Sequence, residues 1–401
     1  MDYFLRCITC RKEYEPKEDF YFCPVCGERF GTLEVIYDYN RIELKREDFS
    51  KEKNIFQFEK LLPTTSHTQL DQLIGPTPLL KFEDFLGIRE VLIKYDGTNF
   101  SASYKDRASI IAINKAIEEK KDTIFCASTG NAATSLAMLS ASTPLKTYIF
   151  VPNTIPIGKR LQLEVSGATI LAIDDNYDAA FDLSMQIGLK KGWYLRNSAI
   201  NPYLLEGKKT GAFEIIIQND YKPIDYVIVS VGDGTVISSI YKGFYEFKKI
   251  GLIDYMPRII GIQSENLDAV KRTFEQGKPY KPVDLTGETI ADSIAVGKPR
   301  DVIKACHYIE ASKGYFITAS DEEIKEAIIE LGNKTGIFAE PAGAITYAGL
   351  KKLIADGRVK KKDSVCILVT GNGLKDPDVL KGSIENNFLT EKEVRRRLNE
   401  N

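Results

Sequence analysis

An α/β fold built on open parallel sheets is the architecture this chain predicts, on two observations. Short β-branched runs alternate with helix-patterned segments, first over 110–200 and again from 226 onward. Several of these runs end in a small-residue or glycine loop that opens the next helix. Such alternation implies βαβ units, whose ligands bind at the carboxyl ends of the strands. The 401 residues are enough for two or three domains. With 43% hydrophobic and 27% charged residues, the composition is that of an ordinary globular protein. A net charge of -2 gives no electrostatic reason for a nucleic-acid partner. No apolar run approaches membrane-spanning length, and the N-terminus lacks the basic and apolar regions of a signal peptide. The expected location is the cytoplasm, with no membrane partner.

Near the N-terminus Cys7-Ile8-Thr9-Cys10 is followed, after twelve intervening residues, by Cys23-Pro24-Val25-Cys26-Gly27. Two Cys-x2-Cys knuckles at this separation can set four thiolates around one zinc. Gly27 allows the tight turn that presents backbone amides to the sulfurs. The metal would supply folding energy to a segment too small for its own core. A pair of redox dithiols is the competing reading. Arg6, Arg11 and Lys12 are balanced by Glu13, Glu15, Glu18 and Asp19, so the ribbon reads as a structural appendage. Cys126, Cys306 and Cys366 read as small core residues. The stretch 37–74 reads as a connector, and His67 in its polar loop as a surface residue.

A turn at 75–79 leads into a strand, and a second strand at 91–95 feeds Asn99-Phe100-Ser101-Ala102-Ser103-Tyr104-Lys105-Asp106-Arg107. Ala108, Ile110, Ile111, Ile113 and Ala116 then recur at helical spacing. Asn99, Ser101 and Ser103 are candidate N-caps, which puts Lys105 in the first turn. The helix dipole and burial both disfavour a cation there, as a nucleophilic, Schiff-base lysine requires. The competing reading is a solvated lysine beside an exposed Asp-Arg salt bridge.

A strand at 123–127 runs into Ser128-Thr129-Gly130-Asn131-Ala132-Ala133-Thr134, which opens a helix. Free amides and hydroxyls make that loop a candidate anion site, or simply a well-capped helix. Strands follow at 147–152 and 168–173. A strand at 226–231 meets Gly232-Asp233-Gly234-Thr235 and then a helix. Two glycines let backbone fold around a phosphate, and Thr235 can add a hydroxyl. The spacing fits neither the dinucleotide fingerprint nor a P-loop. Strands at 259–262 and 365–369 follow, with Glu340-Pro341-Ala342 opening a small-residue helix between them. The last strand ends in Thr370-Gly371-Asn372-Gly373-Leu374-Lys375-Asp376, and 390–401 reads as a charged surface helix.

The order of these motifs resembles the threonine synthases, pyridoxal-phosphate enzymes of the tryptophan-synthase-β fold type (fold type II). The resemblance spans about 75–380 and includes Asn197-Ser198, Asn201-Pro202 and Glu206-Gly207-Lys208-Lys209-Thr210. It implies that Lys105 carries pyridoxal 5'-phosphate as a Schiff base and is the catalytic residue. Asn131 would bond the cofactor's phenolic oxygen. Gly232, Asp233, Gly234 and Thr235 would hold its phosphate. Thr370 would face the pyridine nitrogen as a neutral group that does not enforce protonation. Ser128, Thr129 and Asn131 would lie near the substrate carboxylate. The family's arginine for the substrate phosphate is replaced by Leu204. Arg196, with Asn197, Ser198 and Lys208, is the expected substitute. Cys7, Cys10, Cys23 and Cys26 would bind structural zinc.

The resemblance divides the chain into a zinc ribbon (1–36), a connector (37–74) and a larger cofactor-binding domain (75–104 and 200–385). A smaller domain (105–199) and a charged C-terminal helix (386–401) complete it. It implies a homodimer that converts O-phospho-L-homoserine and water to L-threonine and phosphate. The alternatives are an O-phosphoserine-dependent β-replacement enzyme (cysteate synthase or sulfhydrylase), a threonine/serine ammonia-lyase, and a non-catalytic paralogue.

Overall fold

The computed structural model describes residues 3–155, 157–175, 177–381 and 389–398. Its strands fall in three sheets. A small antiparallel sheet holds β1 (Tyr3–Cys7), β2 (Glu13–Tyr14) and β3 (Leu33–Tyr37) in the order 2-1-3. The antiparallel pair β4 (Leu79–Phe85) and β5 (Ile88–Tyr95) comes next. β6 (Thr123–Ala127), β7 (Lys146–Pro152), β8 (Thr169–Ile173) and β9 (Tyr194–Leu195) form a parallel sheet ordered 8-7-6-9. β10 (Tyr226–Ser230), β11 (Arg258–Ser264), β12 (Tyr315–Ala319) and β13 (Ser364–Val369) join β4 and β5 in a six-stranded sheet. Its order is 12-11-10-13-5-4, parallel apart from β4.

β10, β11 and β13 read as nearly unbroken Val/Ile runs because helices cover both faces of their sheet. Tyr226, Val365 and Val91 are in register, so β10, β13 and β5 end together. Phe125 pairs with Leu195, so β6 and β9 likewise end side by side. The loops after these ends carry Thr370 and Gly232 on one sheet and Ser128 and Arg196 on the other.

The helix after the lysine stretch is Asp106–Glu118, with Lys105 itself at the N-cap position. This corrects its expected place in the first turn. None of the three candidate caps serves. Ser101 bonds the Asp106 carboxylate through its hydroxyl and its amide. The Asn99 side chain accepts from the Gly75 amide and donates to Asp96.

The N-terminal segment is not an appendage. Leu33, Val35 and Tyr37 of β3 are buried in the same core as Phe213 and Phe247. The Val35 carbonyl accepts from Lys242 Nζ at 2.6 Å and that of Leu33 from Lys304 Nζ at 3.1 Å. The connector also enters this core: Ile55, Phe58 and Leu61 of a 3-10 helix are buried, and Phe58 packs on Phe213 with ring centroids 5.0 Å apart. His67 lies at the surface against Glu118 at 3.0 Å. The terminal helix, Glu391–Arg397, is exposed along its length. Positions 386–388 and 399–401 of that expected helix lie outside the described residues. Among the described residues no helix is long and apolar enough to cross a membrane.

Candidate active site

The strand ends of the two larger sheets meet around a cavity of about 380 Å³, within the range of small-molecule sites. All thirteen residues expected to bind cofactor or substrate line it: Lys105, Ser128, Thr129, Asn131, Arg196, Asn197, Ser198, Lys208, Gly232, Asp233, Gly234, Thr235 and Thr370. Leu204 does not; it is completely buried in the main core.

The 232–235 turn fits a phosphate. It opens the fifteen-residue helix Thr235–Lys249, whose N-terminal amides and dipole favour an anion. Gly234 has φ +95, and a Cβ there would meet Ala305 Cβ at 2.9 Å, so the close backbone approach excludes side chains. The Thr235 hydroxyl is buried without a hydrogen-bond partner. An orphaned buried hydroxyl at a helix N-terminus fits an acceptor-rich ligand such as the cofactor's phosphate.

Among the described residues five cations line the same cavity: Lys105, Arg196, Lys208, Lys298 and Arg300. Burial lowers the Lys105 proton affinity; Glu340 and Asp233 oppose this, while Arg196 adds to it. Burial holds Lys208 well below the usual lysine range, and Lys105 and Arg196 push it further down. Arg196 is completely buried at the end of β9 and donates to the hydroxyls of Ser109 at 3.0 Å and Ser198 at 3.2 Å. Asn197 is committed to architecture: its carbonyl accepts from the Ala127 amide at 2.7 Å. Tyr104, next to the lysine, gives its hydroxyl to the Lys208 carbonyl at 2.5 Å and so anchors that segment.

The solvated reading of the Asp-Arg pair fails. Arg107 is completely buried and reaches Asp96 at 2.7 Å and Glu214 at 2.6 Å. Lys94 joins Glu214 at 2.7 Å.

The site also contains groups the sequence reading passed over. Glu340 is buried and accepts from Asn131 Nδ2 at 2.8 Å and from the Thr370 hydroxyl at 3.3 Å. Burial raises its proton affinity, against Asn131, Lys105 and Lys375. Its sequence signal is the Glu340-Pro341-Ala342 run, which opens a helix and takes its place in the motif order. The irregular stretch 292–300 adds Ser293, Lys298 and Arg300 to the cavity wall. The Arg300 guanidinium lies 3.8 Å above the Phe181 ring.

In the ribbon, the sulfurs of Cys7, Cys10, Cys23 and Cys26 lie within 4.8 Å of one another. Tetrahedral zinc with bonds of about 2.3 Å needs sulfurs about 3.8 Å apart, and Cys10 and Cys23 are at 3.7 Å. Gly27 has φ +73, and its amide bonds the Cys23 carbonyl at 2.9 Å, closing the second knuckle. The donor set and spacing fit that metal.

A family model for pyridoxal-phosphate dependent enzymes matches residues 70–371. The chain belongs to this family. It is 39% identical to a threonine synthase of Methanocaldococcus jannaschii, over 93% of this chain and 93% of that protein. It is 37% identical to a threonine synthase of Methanosarcina acetivorans, over 94% and 93%. Among solved structures, the processed threonine deaminase isoform 2 of Solanum lycopersicum superposes with a TM-score of 0.67 at 21% identity, covering 79% of this chain and 84% of that one. The last match concerns the fold alone. That fold is the type II, tryptophan-synthase-β-like arrangement expected from the motifs.

Proposed function

We propose that this enzyme is a threonine synthase, taking O-phospho-L-homoserine and water to L-threonine and phosphate. The observation that carries the reading is the crowding of Lys105, Arg196 and Lys208 around one cavity. Asp233 and Glu340 offset part of this charge, and cationic donors that face a cavity are suited to bind phosphate. The cofactor's phosphate at 232–235 supplies one anion, and a phosphorylated substrate supplies a second. The curated threonine synthases among its relatives support the same conclusion.

In this reading Lys105 would hold the cofactor through its Nζ. Bound pyridoxal phosphate supplies an electron sink for carbanions at the amine-bearing carbon. Lys105 Nζ, its proton affinity lowered by burial, takes the α-proton and then moves a β-proton. Ser128, Thr129 and the start of helix Asn131–Ser140 hold the substrate carboxylate. Arg196, Lys208 and Ser198 would form the pocket of the departing phosphate, and Asn197, whose side-chain oxygen accepts from the Ala127 amide, holds their loop in place. The γ-carbon–oxygen bond breaks with its electron pair going to phosphate. The γ-carbon takes a proton and becomes the methyl group, water adds its oxygen at the β-carbon and gives up a proton, and a proton returns to the α-carbon.

Leu204, in place of the family's arginine, keeps one rival alive: O-phosphoserine with a sulfur nucleophile. The test is phosphate release and product identity with each phosphorylated amino acid. Threonine from phosphohomoserine is expected. Turnover of phosphoserine alone would assign the β-replacement reaction.

Zinc on the four N-terminal cysteines belongs to the same proposal. Metal analysis should find about one zinc per chain, as four ligands require. Replacing Cys7 and Cys10 by serine should remove the metal while the cofactor's absorption largely persists. The reading also implies a homodimer in the cytoplasm, and light scattering would check the mass.

A further inference from the structure

The phosphate turn at 232–235 rests on a neighbouring wall of chain. The Asp301 amide donates to the Asp233 carbonyl at 3.2 Å, and the Arg300 amide to the Asp233 carboxylate at 3.3 Å. A Cβ on Gly232 would stand 3.1 Å from Ile294 Cα. One on Gly234 would stand 2.9 Å from Ala305 Cβ and 3.1 Å from the Asp301 carbonyl oxygen. The turn is therefore close-packed on the segment 294–305, and a shift of that segment moves the turn.

The N-terminal segment grips the same wall. Lys304 is buried; its Nζ pairs with the Asp301 carboxylate at 2.9 Å and donates to the Leu33 carbonyl at 3.1 Å. Glu28 lies 3.7 Å from Arg300 Nε. Arg29 bonds Asp284 at 3.0 Å, and the next residue, Leu285, gives its amide to the Gly297 carbonyl at 2.9 Å. These grips start from the second cysteine knuckle. Cys26 is followed directly by the short helix Gly27–Phe30, which carries Glu28 and Arg29. The Cys23 amide bonds the Gly31 carbonyl at 2.8 Å, and a Cβ on Gly31 would stand 2.8 Å from Cys23 Cβ. The backbone leading to Leu33 thus lies against the knuckle. A knuckle of this size takes its order from its metal.

We propose that the cysteine cluster is coupled to the cofactor site. Metal on Cys7, Cys10, Cys23 and Cys26 fixes residues 28–33, these fix the wall at 294–305, and the wall keeps the phosphate turn in its binding shape. Lys304 is the positioning residue between the two. Linkage makes the coupling mutual: the cofactor tightens zinc binding by the factor by which zinc tightens the cofactor. The inference rests on the zinc and cofactor placements under the proposed function and on no property of the substrate.

The experiment uses full-length protein. Titration of the cofactor-free protein with pyridoxal phosphate, followed by visible absorption, gives the cofactor Kd with and without zinc. Competition with a chelator gives the zinc Kd with and without cofactor. Zinc removal should raise the cofactor Kd about fivefold or more, and the cofactor should lower the zinc Kd by the same factor. Saturating cofactor should still bring the zinc-free protein to its full absorption, so the coupling shows in the concentration required. Lys304→Met should keep about one zinc per chain. It should bind the cofactor about fivefold or more weakly and lose the dependence of each Kd on the other ligand. A merely structural role for Lys304 would lower the thermal midpoint and leave the two Kd values linked, which overturns its assignment. A wild-type cofactor Kd that is equal with and without zinc overturns the coupling itself, and that measurement stands even if the Lys304 variant does not fold. A wild-type protein that binds no zinc strikes the metal placement and the coupling with it. Product identity with phosphohomoserine bears on the proposed reaction alone.

Discussion

Arg107 and Arg196 are both completely buried guanidinium groups, and they sit in opposite electrostatic settings. Arg107 belongs to a balanced cluster: two cations, Arg107 and Lys94, against two carboxylates, Asp96 and Glu214. Thr77 and Thr210 fill further bonding positions on the guanidinium. A second buried cluster repeats the balance, with Lys209 and Lys242 against Glu206 and Glu246. Arg196 instead shares a cavity wall with Lys105 and Lys208, and it adds to the burial that lowers the proton affinity of both lysines, against Asp233. Buried charge that is matched holds the fold together. Buried charge in excess and facing a cavity awaits a ligand.

The largest effect is expected at the unbalanced site. Lys105→Ala should lower turnover by on the order of 10³-fold or more, because acid-base assistance alone is worth about 10² to 10⁴. Borohydride should fix the cofactor of the wild type to the peptide containing Lys105. The thermal midpoint should hardly move, since the substitution removes a cation from a crowd of cations. A large fall in the midpoint would mean that Lys105 belongs with the structural charges.

At the balanced site the expectations exchange. Arg107→Met should cost about 3–5 kcal/mol of stability, the usual penalty for stranding buried carboxylates. Denaturant unfolding would read it. The partners to be stranded are Asp96 and Glu214. Wild-type stability in this variant would show that water reaches the cluster and that the two sites do not differ in kind.

The contrast was only half visible in the chain. The central strands were legible because continuous Val/Ile runs follow from burial on both faces. The cavity loops were legible because each follows directly on a strand. β9 has two residues, and β12 is an edge strand with a half-exposed pattern, so neither produced a periodic signal. The Arg107 partners stand 11 and 107 residues away. The contacts that draw the ribbon into the core are longer still: Tyr37 to Glu206 spans 169 residues and Val35 to Lys242 spans 207. The Glu340 carboxyl meets Asn131 across 209 residues, so the Glu340-Pro341-Ala342 run could not report that contact. Local pattern reports which residues end a strand. It does not report which charges are matched, since matching is made by tertiary folding.

Arg196→Leu sharpens the comparison from the other side. Losing a charged hydrogen bond to the departing phosphate should raise the barrier by on the order of 3 kcal/mol. Turnover of phosphohomoserine would fall while the cofactor's absorption stays, because the cofactor phosphate belongs to the 232–235 turn. Full activity in the variant would pass the role to Lys208, which lines the same cavity.

The smallest effect is a pH dependence that the balanced cluster alone should produce. Burial by itself would raise the Glu214 carboxyl, but Arg107 and Lys94 overcome it and hold it at about 2, against an ordinary 4.5. A carboxyl depressed in the folded state binds its proton more tightly when unfolded. Its contribution is therefore complete above 4.5 and is lost as pH falls toward 2. One such group changes stability by at most about 1.4 kcal/mol per pH unit. Other carboxyls titrate in the same window, so the informative quantity is a difference between variants. Glu214→Gln removes this one titration and leaves the rest. Its urea midpoint should lie below that of the wild type by a constant gap above pH 4.5, and the gap should narrow from 4.5 toward 2. Glu340 runs the other way: its raised proton affinity favours the fold at low pH, and that contribution fades as pH rises through its folded value. A Glu340→Gln gap should therefore change with the opposite sign. Gaps that stay constant with pH in both variants would remove the electrostatic distinction between the two sites.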